Sequence, residues 1–224
     1  GRMGSVVAQL IVDGKIHGVH AVLVPLREIE GTLLPGVRIE DSGYKMGLNG
    51  VDNGRIWFDQ VRVPRANLLN RFGNIDAAGV YSSSIENPSR RFFTMLGTLV
   101  GGRVGVPRAG LSATKTALAV AIRYGLQRKQ FAPREGEPET TILDYPTHQR
   151  RLMPLLAKTY GLHFALTYLT KRYTNHSEAD IREIETLAAG LKSYSTWFTT
   201  AAIQECREAC GGKGYLSENR FADL

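Results

Sequence analysis

The run "EACGGKGYLSEN" closes an amphipathic pattern with Gly211, Gly212, Lys213, Gly214 and Tyr215. Gly211, directly after Cys210, fits a helix C-cap, where a left-handed residue ends the helix without a Cβ penalty. One cap needs one glycine, so Gly212 and Gly214 require a second reason. Close approach of backbone amides to an anionic or polar ligand supplies one. The pattern is not a dinucleotide fingerprint, which follows a strand and opens a helix. It is not a Walker loop either, because the Lys-Ser/Thr pair is missing. A second basic element, "RYGLQRKQF", gathers Arg123, Arg128 and Lys129 at the end of a helical run, where cations offset the negative end of the helix. Gln130 and Phe131 add an amide and an aromatic ring, which beside an arginine can grip a phosphate and cover a flat ring system. These residues allow either a nucleotide-binding role or a well-terminated helix. Cys206 and Cys210, the only two cysteines, share a helical face at i and i+4 with no histidine nearby in sequence to complete a metal site. They read as small buried residues, and no metal is expected.

The elements that position these residues change period along the chain. "SVVAQLIV" and "GVHAVLVPL" flank "DGKIH", an Asp-Gly turn between β-branched runs, which predicts a hairpin. "GVRIED" and "GRIWFDQVRVP" predict two further strands, the second partly alternating as in a sheet with one packed and one wet face. A polar connection rich in Gly, Asn, Ser and Pro follows. From about Arg91 the pattern is helical. The first long helix is expected to bend or break near Gly101, Gly102 and Pro107. The second is expected to open at "DYPTHQRRL" with Asp144 as cap and Pro146 in the first turn, and Pro154 is expected to kink it. The third opens at "SEAD", where Ser177 and Asp180 resemble a capping box with aspartate replacing glutamate. Three long helices with short links imply an antiparallel bundle. The expected class is α+β, with an antiparallel β portion over residues 1–70, a connection over 71–90 and a helical bundle over 91–224.

The 224 residues, 43% of them hydrophobic, suffice for one or two domains with a sizeable core. No apolar run approaches the roughly 20 residues of a membrane span, and the opening residues lack a signal peptide's apolar core. An intracellular protein is therefore expected. The formal net charge of +7 suggests a polyanionic partner such as a nucleotide, coenzyme A or nucleic acid. Lys and Arg are spread along the chain rather than gathered in a stripe with interleaved aromatics, which speaks against nucleic acid.

Five separated segments in order, "GRMGSVVAQLIVDGKIHGVHAVLVPLR", "GYKMGLNGVDNGRIWFDQVRVPRANLLNR", "RYGLQRKQF", "LDYPTHQRRLMPLLAKTYGLHFA" and "IQECREACGGKGYLSENR", closely resemble acyl-CoA oxidases, within the acyl-CoA dehydrogenase superfamily. The resemblance covers nearly the whole chain and has a bacterial, particularly actinobacterial, flavour. It implies the later part of a middle β-domain joined to most of a C-terminal helical bundle. It also implies FAD-dependent desaturation of an acyl-CoA to the trans-2-enoyl-CoA, with oxygen reduced to hydrogen peroxide, in fatty acid β-oxidation. The partners implied are an acyl-CoA substrate, molecular oxygen and further copies of the subunit, as a homodimer or larger assembly with FAD contacts across subunits.

The resemblance assigns Arg128 to the FAD pyrophosphate, with Gln130 and Phe131 beside the dinucleotide, and Gly211 and Gly212 to the cofactor's adenosine end. Glu208 stands where dehydrogenase relatives often carry glutamine. Arg103 aligns with an arginine near the acyl-CoA site, although a buried or paired structural arginine explains it equally well. The family's catalytic glutamate lies in an "EG" motif a short way after the glycine segment, and no EG pair follows that segment up to Leu224, so the catalytic residue is unknown and expected beyond Leu224. Two other readings are a same-fold dehydrogenase that passes electrons to an electron-transfer flavoprotein and a non-catalytic nucleic-acid-binding protein on this scaffold. The expected location is the cytoplasm for a bacterial source and the peroxisome for a eukaryotic one; "FADL" is no peroxisomal tail signal.

Overall fold

Asp13 and Gly14 both take positive φ, 49° and 75°. This is the backbone that a tight two-residue hairpin turn demands and that Asp-Gly adopts readily. The turn joins β1 (Met3–Val12) to β2 (Lys15–Pro25) in antiparallel register from Met3 opposite Pro25 to Val12 opposite Lys15, with one irregularity between Leu10 and Ile11. The computed structural model describes residues 1–224, apart from the side chain of Thr98. It divides into two units, Gly1–Gly97 and Thr98–Leu224.

In the first unit, β3 (Val37–Asp41) pairs antiparallel with β4 (Gly54–Phe58), and β5 (Asn74–Ile75) with β6 (Tyr81–Ser82). The strand expected through "GRIWFDQVRVP" stops at Phe58. Gln60 turns to φ 49°, and the Asp59 N–H bonds back to the Gly36 carbonyl at 2.8 Å. Val61 and Val63 still reach the small core of Val24, Leu26 and Val37, but not as strand residues. Helix α1 (Pro88–Leu96) starts with Pro88 at its first position, and the Asn87 side chain accepts from the Arg90 N–H at 3.0 Å.

This helix belongs with the strands, so the bundle begins at Thr98 rather than near residue 91. The physical reason is Arg91, only 3% exposed. Its guanidinium donates to the Ile85 carbonyl at 2.7 Å, the Ser83 hydroxyl at 3.2 Å and the His17 carbonyl. It thereby ties α1 to the end of the hairpin. A Cβ on Gly18 would come within 2.8 Å of Pro88, which shows how closely the two elements pack.

The second unit holds three long helices, α2 (Val100–Gln127), α3 (Pro146–Thr174) and α4 (Ile181–Ala209). Val100, Val104 and Leu111 at the start of α2 cluster with Leu162, Leu166 and Leu169 late in α3 and with Ile184, Ala188, Phe198 and Ala202 of α4. Ala117, Leu118 and Ala121 near the end of α2 cluster with Leu152 early in α3 and with Cys206, Ala209 and Cys210 at the end of α4. The helices therefore run up, down and up. An α+β protein with antiparallel strands followed by an antiparallel bundle is what the periodicities predict.

Two boundary expectations fail. The break before α2 falls at the 3-10 turn Gly97–Leu99, and α2 runs unbroken through Gly101, Gly102 and a buried Pro107. Packing on the core outweighs the roughly 3 kcal/mol that an interior proline costs. Asp144 sits in a 3-10 turn, and the N-cap of α3 is Tyr145, without a side-chain cap bond. At α4 the Asp180 carboxylate accepts from the Ser177 N–H at 2.9 Å, closing the expected capping box.

Candidate functional site

Helix α2 ends at Arg128, whose N–H bonds to the Tyr124 carbonyl at 2.8 Å while its backbone turns extended. From there the chain doubles back on itself. Gln130 N–H donates to the Thr140 carbonyl, Thr140 N–H to the Phe131 carbonyl and Ile142 N–H to the Arg128 carbonyl, each at 2.9 Å. Tyr145 Oη adds a bond to the Gln130 carbonyl at 2.7 Å. These bonds fix the backbone of the "RKQF" segment and leave its side chains to solvent. Phe131 sits at φ 60°, a costly backbone for a bulky residue, and the residue is 69% exposed.

The end of α4 arrives beside this segment. Gly211 takes φ 56°, the left-handed cap expected from the sequence. Gly214 is explained by packing rather than by a ligand, because a Cβ there would collide with the Arg207 carbonyl of α4. That corrects the expectation that Gly212 and Gly214 share one reason. Gly212 alone is left, and a Cβ on it would meet nothing within 4 Å. It faces an open cavity of about 590 Å³, lined by Arg128, Gln130, Phe131, Gly211 and Gly212 together with Tyr124, Tyr145, Thr147, His148, Arg151 and Glu208. Five residues singled out from sequence thus meet at one place, although the two segments lie far apart along the chain.

Arg103 does not join them. It is exposed near the start of α2, and no ion pair engages it among the described residues. At 1.5 Å rise per residue, it lies roughly 37 Å along the helix from Arg128.

Sequence reasoning missed Arg151, His148 and Tyr145. His148 and Arg151 stand three apart on α3, so they share a face. Arg151 Nε donates to Glu205 at 2.8 Å and Nη2 to Glu208 at 2.6 Å. Hydrogen bonds to Glu205 and then Glu208 push the Arg151 pKa further up. The Arg151 bond, and then one from Gln204, hold Glu208 below the usual carboxylate range. Burial, then the nearby Arg151 charge, lowers His148. Its Nε2 is buried without a hydrogen-bond partner among the described residues. A side chain at Gly125 would press on that nitrogen at 3.3 Å. The available signal was the pair Glu205 and Glu208 near a helix C-terminus, where acids are disfavoured unless a cation answers them. Cys206 and Cys210 are buried behind the site, and burial pushes the Cys206 thiol up to about 12.

An antiparallel β portion joined to a three-helix bundle is an architecture shared with solved acyl-CoA oxidases. Acyl-CoA oxidase-1 of Caenorhabditis elegans, complexed with FAD and ATP, superposes with a TM-score of 0.84 at 34% identity, over 99% of this chain and 33% of that one. Acyl-CoA oxidase3 of Yarrowia lipolytica gives 0.80 at 35% identity, over 98% of this chain and 34% of its own. Peroxisomal acyl-coenzyme A oxidase 2 of Arabidopsis thaliana is 48% identical over 100% of this chain and 34% of its own length. Human peroxisomal acyl-coenzyme A oxidase 3 is 39% identical over 100% of this chain and 35% of its own length. The family model described as "Acyl-CoA oxidase, C-alpha1 domain" matches residues 96–224, and the chain belongs to the acyl-CoA oxidase family.

The chain spans about a third of the length of these relatives. Two expectations are corrected here. The relatives named above come from a plant, a mammal, a yeast and a nematode, which gives no support to a bacterial type. Several are named peroxisomal, which overturns the cytoplasmic assignment. No helix among the described residues is long and apolar enough to cross a membrane.

Proposed function

We propose that this chain is the cofactor-holding portion of a peroxisomal, FAD-dependent acyl-CoA oxidase. The observation that carries the reading is the meeting of Arg128, Gln130 and Phe131 with Gly211 and Gly212 around one cavity. The residues suit part of an FAD. Arg128 supplies a cation for a diphosphate, the open side of Gly212 gives an anion or sugar access to backbone, and the exposed Phe131 ring offers a face for a flat heterocycle. A bound FAD would supply the electron acceptor for desaturation of the acyl-CoA, with oxygen as the terminal acceptor that becomes peroxide. This chain's own residues bind and orient; the proton-abstracting base is not among those assigned. Arg103 belongs to a separate function at the far end of α2, toward the acyl-CoA. A homodimer or larger assembly, with the groove completed across subunits, fits the exposed setting of the "RKQF" side chains.

The dehydrogenase reading differs in its acceptor, and the relatives named above are oxidases, which favours oxygen. In the full-length enzyme, Arg128→Ala should weaken FAD binding about tenfold or more, the loss of one charge-assisted contact, and Gly212→Val should empty the groove while circular dichroism stays unchanged. FAD affinity equal to wild type in both folded variants would refute the cofactor reading. Peroxide formation from acyl-CoA in air, without an added electron-transfer protein, tests the oxidase assignment.

A further inference from the structure

We propose that Arg151 acts on the cavity through Glu208, as a charge-balancing residue that makes an otherwise acidic wall acceptable to an anionic cofactor. The inference rests on the reading of the cavity as an FAD site and adds a residue, and an electrostatic condition, to it. Glu208 lines the same cavity as Arg128 and Gly212, in the last turn of α4, where the negative end of the helix already disfavours an anion. A bare carboxylate there would repel a diphosphate. Arg151 removes that repulsion, since its Nη2 binds Glu208 Oε2 at 2.6 Å while Gln204 Nε2 binds Glu208 Oε1 at 2.8 Å, so both carboxylate oxygens are engaged.

Arg151 is itself committed. Its Nε is taken by Glu205 at 2.8 Å and one Nη2 hydrogen by Glu208, which fixes the guanidinium against α4; a direct grip by its remaining N–H groups is told apart from a balancing role by experiment. Glu205 does not line the cavity, so Glu208 is the carboxylate whose neutralisation matters to an occupant. Among the described residues that line the cavity, Arg128 therefore carries a positive charge free of an ion pair, while Glu208 meets an occupant with Arg151, which it shares with Glu205, bound to it.

A direct contact and a balancing role make opposite predictions for a double variant. The test is FAD titration of the full-length apoenzyme, read by flavin fluorescence, for wild type, Arg128→Ala, Arg151→Gln, Glu208→Gln and Arg151→Gln/Glu208→Gln, with thermal melting to confirm folding. The proposal expects Arg151→Gln to bind FAD about tenfold more weakly, the scale of one unscreened nearby charge. Glu208→Gln should bind at least as well as wild type, and the double variant should recover to within about threefold, a loss well under one charge's worth. Raising the salt concentration should strengthen binding to Arg151→Gln, because screening relieves repulsion, a sign that a merely structural role would not produce. A double variant as weak as Arg151→Gln, or unchanged affinity in Arg151→Gln, overturns the proposal while leaving the cofactor reading intact as long as Arg128→Ala still weakens FAD. Unchanged affinity in Arg128→Ala removes the cofactor reading and the proposal with it.

Discussion

In the helical unit Ala117, Ala121, Ala188 and Ala202 are fully removed from water, whereas the hairpin leaves Val7, Ile11 and Ile16 more than half exposed. Small residues let α2 and α4 approach closely, and Leu152, Leu166 and Leu169 fill the remaining space. The β unit has only a small apolar cluster and relies on polar ties. Arg91 bonds three separate acceptors, and His20 bonds Tyr81 Oη at 3.0 Å and lies 3.1 Å from the Gly18 carbonyl. The candidate cavity stands on the rigid side of this contrast, its walls formed by the ends of packed helices.

Three changes would break or sharpen the contrast. The largest effect is expected from Leu166→Ala, which opens a cavity at a residue 1% exposed and should cost about 3 kcal/mol in urea unfolding. A loss below about 1 kcal/mol would show a loosely packed bundle. Next comes Arg91→Ala, which removes the guanidinium donor from the His17 carbonyl and one of the two donors on the Ile85 carbonyl and should cost about 2–3 kcal/mol. Hydrogen exchange should quicken in β1, β2 and α1; equal quickening throughout α2 to α4 would contradict the idea that the two units are held by separate means.

The smallest effect concerns pH. Burial lowers the pKa of His20 most, the Gly18 carbonyl opposes it, and Arg91 and then His17 add smaller lowering influences, while burial and then Arg151 lower His148. A lowered folded pKa means that the fold prefers the neutral ring. The associated stability is complete above the ordinary value near 6.5 and declines as pH falls through it toward the folded value. Histidine ring resonances should therefore show both midpoints below 6.5. A midpoint at or above that value for either ring would remove it from this account.

Much of this was legible in the residues. The three helices, the Asp13–Gly14 hairpin and the Ser177–Asp180 box depend on local chemistry, and local chemistry is what periodicity and capping rules read. The end of β4 at Phe58 was hidden because "VRV" alternates like a strand, while the turn at Gln60 is fixed by a bond to distant Gly36. Arg91 was invisible as an anchor for a similar reason: its acceptors belong to the hairpin and to the loop before α1. At the candidate site, Arg128, Gln130, Phe131, Gly211 and Gly212 announced themselves by type. Arg151 did not, since its meaning lies in two carboxylates on another helix. Gly214 shows the reverse error, a glycine whose company suggested a ligand but whose neighbour is the Arg207 carbonyl.

Phe131 illustrates what such a site asks of its own chain. A glycine would sit at φ 60° without strain, and a polar residue would tolerate water better, yet the position carries a large aromatic residue that is more than two-thirds exposed. Backbone and solvent both disfavour it. Under the proposed cofactor reading, the residue marks a place where the chain's thermal robustness and its task pull in opposite directions.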